Sequence, residues 1–192
     1  MIERRANRVP PDMPWFDHPR SPDWPQVEAQ HLKIQPYCVC CGRLKSGPGL
    51  RVHHIIPYQI CHHIGRPDLE LDERNLITLC EGPMSENHHL VVGHLQSLLS
   101  YNLEVAVDAR FTFYGLNRTQ ILENPWWLSK VTHRPEGLEE MTGYNRDWLI
   151  NYANDRFPRK APASPETAEE SYIQAPPPPA ERRFIPRIAP PI

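Results

Sequence analysis

The alternation of apolar and polar positions divides the chain into a few short elements. Trp24, Val27, His31 and Ile34 recur at helical spacing behind Ser21-Pro22, a helix-start signal, and the run stops before Pro36; one helix with a single apolar stripe is expected there. Leu50 to Ile56 is short, rich in branched residues and bounded by Gly47-Pro48-Gly49 and Pro57, which predicts a strand. Leu76, Ile77 and Leu79 predict a second strand ending at Cys80, with a long loop over residues 57–74 between the two. After the Glu81-Gly82-Pro83 turn, with Ser85 or Asn87 as cap, Leu90, Val91, His94, Leu95, Leu98 and Tyr101 keep helical spacing, which predicts a helix of about four turns. Residues 102–114 read as a further helix carrying Val105, Ala109 and Phe113. Asn124-Pro125 interrupts the chain before Trp126 and Trp127, rings expected to cover the core, and Tyr144, Trp148 and Tyr152 recur four apart as in a short helix. The expected class is α+β, with two strands followed by a helix at its centre.

Composition sharpens the boundaries. Of 23 prolines, six lie in residues 1–25 and ten in 158–192, so a folded centre between extended ends is expected. The divisions that follow are a Pro-rich arm over 1–21, a core domain over 22–114, a helical extension over 115–157 and a disordered Pro-rich tail over 158–192. Formal net charge is -2, which argues against a strongly electrostatic nucleic-acid binder. Residues 1–66 nevertheless carry a local positive excess that includes Arg4, Arg5 and Arg8, whereas residues 68–86 hold six acids and only Arg74. Five cysteines are an odd number and the first residues lack an apolar signal-peptide core, so a reducing, cytoplasmic setting is expected. No apolar run reaches the roughly 20 residues of a membrane span.

The candidate chemistry lies in residues 38–94, which hold all five cysteines and seven of the ten histidines. Cys38 and Cys41 have the CxxC spacing that lets two thiolates face one tetrahedral ion, and Gly42 supplies the permissive backbone of a knuckle. Cys40 is then a bystander, and Cys61, His62 and His63 read as loop residues without a chemical role. His53 and His54 are neighbours on a strand and point to opposite faces, so they cannot do the same job. On the helix that follows, His88 and His89 project about 100° apart, and His94 lies about 140° round from His89. A core or DNA-facing position is expected for His94, and Gly93 permits close approach of a strand or phosphate.

The paired His53-His54 after an apolar run, Asn75 in its NLxxLC context, and His89 beside a second ligand pair make residues 22–102 resemble an HNH endonuclease of the His-Me finger, ββα-metal kind with a structural zinc. The resemblance implies a zinc site of Cys38, Cys41, Cys80 and His88, with Cys61 in reserve, and a second, catalytic divalent cation (Mg2+, Mn2+ or Ni2+) held by His53 and His89. It implies His54 as general base, at a pKa near the usual value of about 6.5, and Asn75 as the residue that holds the base-bearing loop or reaches the ion. It further implies DNA as substrate, nicked or cut on both strands by a monomer or dimer to leave a 5′-phosphate and a 3′-hydroxyl. His53 stands where many members have Asp, and imidazole favours Mn, Ni, Co or Zn over Mg.

Overall fold

The computed structural model describes residues 18–44, 49–82, 85–134 and 146–159. The expectations for the arginine-bearing arm, for Tyr144 and for nearly all of the Pro-rich tail fall outside these residues. Helix α1 spans Trp24–Ile34, with Pro25 in its first turn and the Trp24 amide donating to the Ser21 carbonyl at 3.1 Å. Strands β1, Leu50–His54, and β2, Leu76–Cys80, pair antiparallel, with Leu50 opposite Cys80 and His54 opposite Leu76. Every residue of β2 is buried, which is why it reads as a continuous apolar run rather than an alternating one.

The segment between the strands is not a loop. Helix α2 occupies Tyr58–His63, and 3-10 turns follow at Pro67–Glu70 and Glu73–Asn75. Ile60, Cys61, Ile64 and Leu69 are buried there; four apolar contacts with the core outweigh the polar appearance of the run. Asn75 ties the segment together from a fully buried position. Its Oδ1 accepts from the Ile56 amide at 2.8 Å, and its Nδ2 donates to the carbonyls of Ile56 and Leu69 at 3.0 Å each. Asn75→Ala would strand these buried groups at a cost of about 3 kcal/mol or more. A urea titration is expected to show that loss, and a variant within about 1 kcal/mol of wild type would contradict it.

The helix expected over residues 88–101 is replaced by one π turn, His89–Gly93, after which Leu95 and Gln96 take φ of 47° and 68°. The cause is competition for acceptors. Trp127 Nε1 donates to the Val91 carbonyl at 2.9 Å and Asn102 Nδ2 to the Val92 carbonyl at 3.0 Å, so these oxygens serve side chains rather than the next turn. Residues 102–114 form only the short helix α3, Val105–Val107, running into a second π turn at Asp108–Thr112.

Helices α4, Arg118–Leu122, α5, Pro125–Thr132, and α6, Arg146–Arg156, complete the described chain. Ile121, Trp127, Leu149 and Ala153 from them join Ile56, Ile77, Leu79, Val91 and Phe113 in one hydrophobic cluster, so α4, α5 and α6 share the core of the strands. Trp127 covers that core while Trp126 is exposed. Arg66, buried to 1% exposure, bonds Asp68, Asn154 Oδ1 and the Phe157 carbonyl, fastening α6 to the turn after α2. Among the described residues no helix is long and apolar enough to cross a membrane.

Candidate functional site

Two groups of metal-type donors flank the strand pair. The first is Cys38, Cys41, Cys80 and His88, whose donor atoms all lie within 4.8 Å of one another. Cys38 and Cys41 sit on a knuckle closed by the Gly42 amide donating to the Cys38 carbonyl at 2.8 Å, with Gly42 at φ 69°, a region only glycine enters freely. The Val39 amide donates to the Thr78 carbonyl at 3.0 Å, which sews the knuckle to β2 and brings it to Cys80. His88 arrives from the start of the π turn. Its Nδ1 lies 3.3 Å from Cys80 Sγ and 3.6 Å from Cys38 Sγ, and Cys41 Sγ is 4.0 Å from Cys80 Sγ. A tetrahedral ion with Zn–S of about 2.3 Å sets its ligands roughly 3.8 Å apart, so these spacings fit zinc. His88 Nε2 faces the Leu116 carbonyl at 3.2 Å, a bond that leaves Nδ1 as the lone-pair nitrogen. Hydrogen bonds from Cys41 and Cys80 push the Cys38 thiol well up, and those from Cys38 and Cys41 push Cys80 well down, toward the thiolate a metal binds. Cys40 stays outside the group, its thiol donating to the Phe113 carbonyl at 3.3 Å, and Cys61 donates to the Ile56 carbonyl at 3.4 Å.

The second group is His53, His89 and His94, with donor nitrogens again within 4.8 Å. The rings stand nearly perpendicular to one another, at centroid distances of 5.2 Å for His53–His89 and 4.8 Å for each of the other two pairs. His94 therefore belongs with the candidate ligands, against the position expected from 100° per residue. The turn that carries it closes with the His94 amide on the His89 carbonyl at 3.2 Å, an i to i+5 bond that sets the two residues one above the other. His94 Nδ1 donates to the Ser100 carbonyl at 2.8 Å and His89 Nδ1 faces Glu81 Oε1 at 3.3 Å, so each keeps Nε2 for a ligand. Nε2 of His53 is buried without a hydrogen-bond partner, an orphan that a cation would satisfy. Burial, then the neighbouring histidines, pulls His53 well below its usual pKa, and burial with His94 takes His89 to about 4 against the pull of Glu81. All of these imidazoles are neutral near pH 7, the form that coordinates metal.

Gly93 makes the convergence possible. A Cβ there would lie 3.0–3.2 Å from three atoms of the His53 ring. Gly93→Val is expected to displace that ring and weaken divalent-cation binding about ten- to hundredfold, as disturbances just outside a ligand shell do. Manganese titration checks this; unchanged affinity, with zinc retained, would show that the ring does not depend on the missing side chain.

His54 points the other way along β1, its ring 4.5 Å from that of Trp24 on α1. Nε2 donates to the Glu70 carbonyl at 2.9 Å, so the neutral ring carries its lone pair on Nδ1. Burial pulls its pKa down to about 4, opposed by the Glu70 bond, so the ordinary value expected from sequence is not the one the fold imposes. His54 and the three-histidine group line one cleft of about 460 Å³, together with Trp24, Tyr58 and Glu81. Asn75 lies behind it, its amide spent on backbone.

Comparison with known proteins identifies nothing further. No family model, no curated protein and no solved structure matches the chain. The functional reading therefore rests on the donors and the cleft. Sequence reasoning missed His94, Ser100, Leu116 and Glu70. The last three act through backbone carbonyls, which leave no signature in residue type.

Proposed function

We propose that this chain is a metal-dependent endonuclease of the HNH kind that hydrolyses DNA phosphodiester bonds. The observation that carries the reading is the meeting, in one cleft, of three neutral imidazoles whose donor nitrogens lie within 4.8 Å of one another with a fourth, His54, held in a single tautomer. Two antiparallel strands followed by a histidine-bearing segment keep the order of the ββα-metal core, with a π turn where that core has a helix, and the Cys3His cluster is compatible with a structural zinc.

His53, His89 and His94 would hold the cation, which when bound supplies positive charge to the phosphate and to the leaving oxygen. His54 Nδ1 takes the proton from a water as its oxygen attacks phosphorus. The P–O3′ bond breaks, the departing 3′-oxygen takes a proton from solvent water to become a hydroxyl, and the 5′-phosphate stays with the other product. The Glu70 carbonyl keeps the His54 ring oriented and shares the charge that the ring gains. Asn75, by bonding Ile56 and Leu69, fixes the segment from which that carbonyl projects.

A second reading, a zinc-stabilised nucleic-acid-binding module without cleavage, would use the Cys38, Cys41, Cys80 and His88 cluster to hold the fold and leave the three histidines without a catalytic ion. Supercoiled plasmid separates the two. Relaxed or linear product is expected with Mn2+ or Ni2+ at a rate at least about tenfold above that with Mg2+, because an all-imidazole site disfavours the harder ion. An intact plasmid in every divalent metal would leave the binding module, and equal rates with Mg2+ would argue against the three histidines as ligands.

A further inference from the structure

The cleft holds two arginines in different circumstances. Arg51 Nε is paired with Glu81 Oε2, and the other oxygen of that carboxylate faces His89, so the charge of Arg51 is already answered within the protein. Arg20 is stacked instead: its guanidinium carbon lies 4.3 Å from the centre of the Trp24 ring and 4.4 Å from that of Tyr58. Among the described residues no carboxylate forms an ion pair with it. A guanidinium packed against aromatic rings still has its N–H groups for bonds in its own plane, and the rings restrict rotamers that a free arginine would lose on binding. The same rings border His54, whose centroid lies 4.5 Å from Trp24 and 6.3 Å from Tyr58.

We propose that Arg20, clamped between Trp24 and Tyr58, is an anion-binding subsite that grips a phosphate beside His54 through two parallel N–H bonds. That the phosphate belongs to a nucleic-acid backbone rests on the endonuclease reading; that the subsite takes a phosphate does not. The planar fork matches two non-bridging oxygens of a phosphate. Glu28 and Glu81 on the cleft wall repel a polyanion, which makes an unanswered guanidinium the group by which a phosphate enters.

The test uses the full chain with its zinc and two probes, inorganic phosphate and a single-stranded oligonucleotide, without added divalent cation. Calorimetry is expected to show phosphate bound by the wild type and at least about tenfold more weakly by Arg20→Ala, as loss of a charge-assisted bidentate contact implies. For the oligonucleotide, the slope of log affinity against log salt is expected to fall by about 0.7 in Arg20→Ala. The exposed Arg110, outside the cleft, provides the control Arg110→Ala with the wild-type slope. Arg20→Lys keeps the charge and restores the slope, but kcat/KM with Mn2+ stays depressed because an ammonium cannot make the paired bonds; full recovery of the rate would overturn the two-bond grip. Unchanged phosphate affinity and salt slope in Arg20→Ala would overturn the subsite even if plasmid is cut. Arg20-dependent phosphate binding without cleavage in any metal would keep the subsite and remove the endonuclease.

Discussion

His54→Ala is expected to slow plasmid cleavage by about 10²–10⁴-fold, the range for removal of a positioned general base, while the zinc content and the manganese affinity of the protein stay at wild-type values. The two outcomes separate because His54 and His53 leave β1 on opposite faces. His53 packs against Gly93 with the other two candidate ligands, and His54 packs against Trp24 with its Nε2 committed to Glu70. Removing the second ring deletes a lone pair without touching a cation donor. His54 is buried to 6% exposure, so the truncation also costs packing, and a melting curve must show the variant folded at the assay temperature. Imidazole added to the buffer should then recover part of the rate by occupying the space left in the cleft. A folded His54→Ala that cuts as fast as wild type would remove the base from the mechanism, whatever happens to the metal.

Cys80→Ser is expected to release one zinc per chain and unfold the domain. A structural zinc contributes on the order of 10 kcal/mol, comparable with the whole stability of a domain, about 5–15 kcal/mol. The geometry explains why so much depends on this residue. Cys80 ends β2 and its thiolate meets both the knuckle and His88, so its loss detaches the strand from the segment before it and from the π turn after it. That turn carries His89 and His94, and cleavage should disappear together with the zinc. Cys61→Ser is the control, since Cys61 is buried yet lies outside the four-donor group. Metal analysis with far-ultraviolet circular dichroism checks both variants. A folded Cys80→Ser with a full zinc complement would show that the cluster is assembled differently.

The parts of the site that were legible in sequence depend on short-range rules. Neighbouring residues on a strand diverge whatever the tertiary structure, which separated His53 from His54. A CxxC before a glycine makes a knuckle by local geometry, which pointed to Cys38 and Cys41. Neighbouring helical positions diverge by a fixed angle, which sent His88 and His89 to different donor groups. What stayed hidden depends on distant partners. The π winding that brings His94 over His89 is selected by Trp127 and Asn102, which take the carbonyls of Val91 and Val92 from 36 and 10 residues away. The low pKa of His54 comes mainly from burial under α1 and the turn bearing Glu70, and no local pattern encodes burial. Helix α2 was missed because its polar residues outnumber the few apolar ones that reach the core.

Anomalous scattering from a crystal soaked in manganese locates the cation directly. A peak is expected about 2.0–2.3 Å from one nitrogen each of His53, His89 and His94, with the His54 ring close by but uncoordinated. A manganese peak elsewhere in the cleft, or imidazoles 53, 89 and 94 pointing away from a common centre, would contradict it.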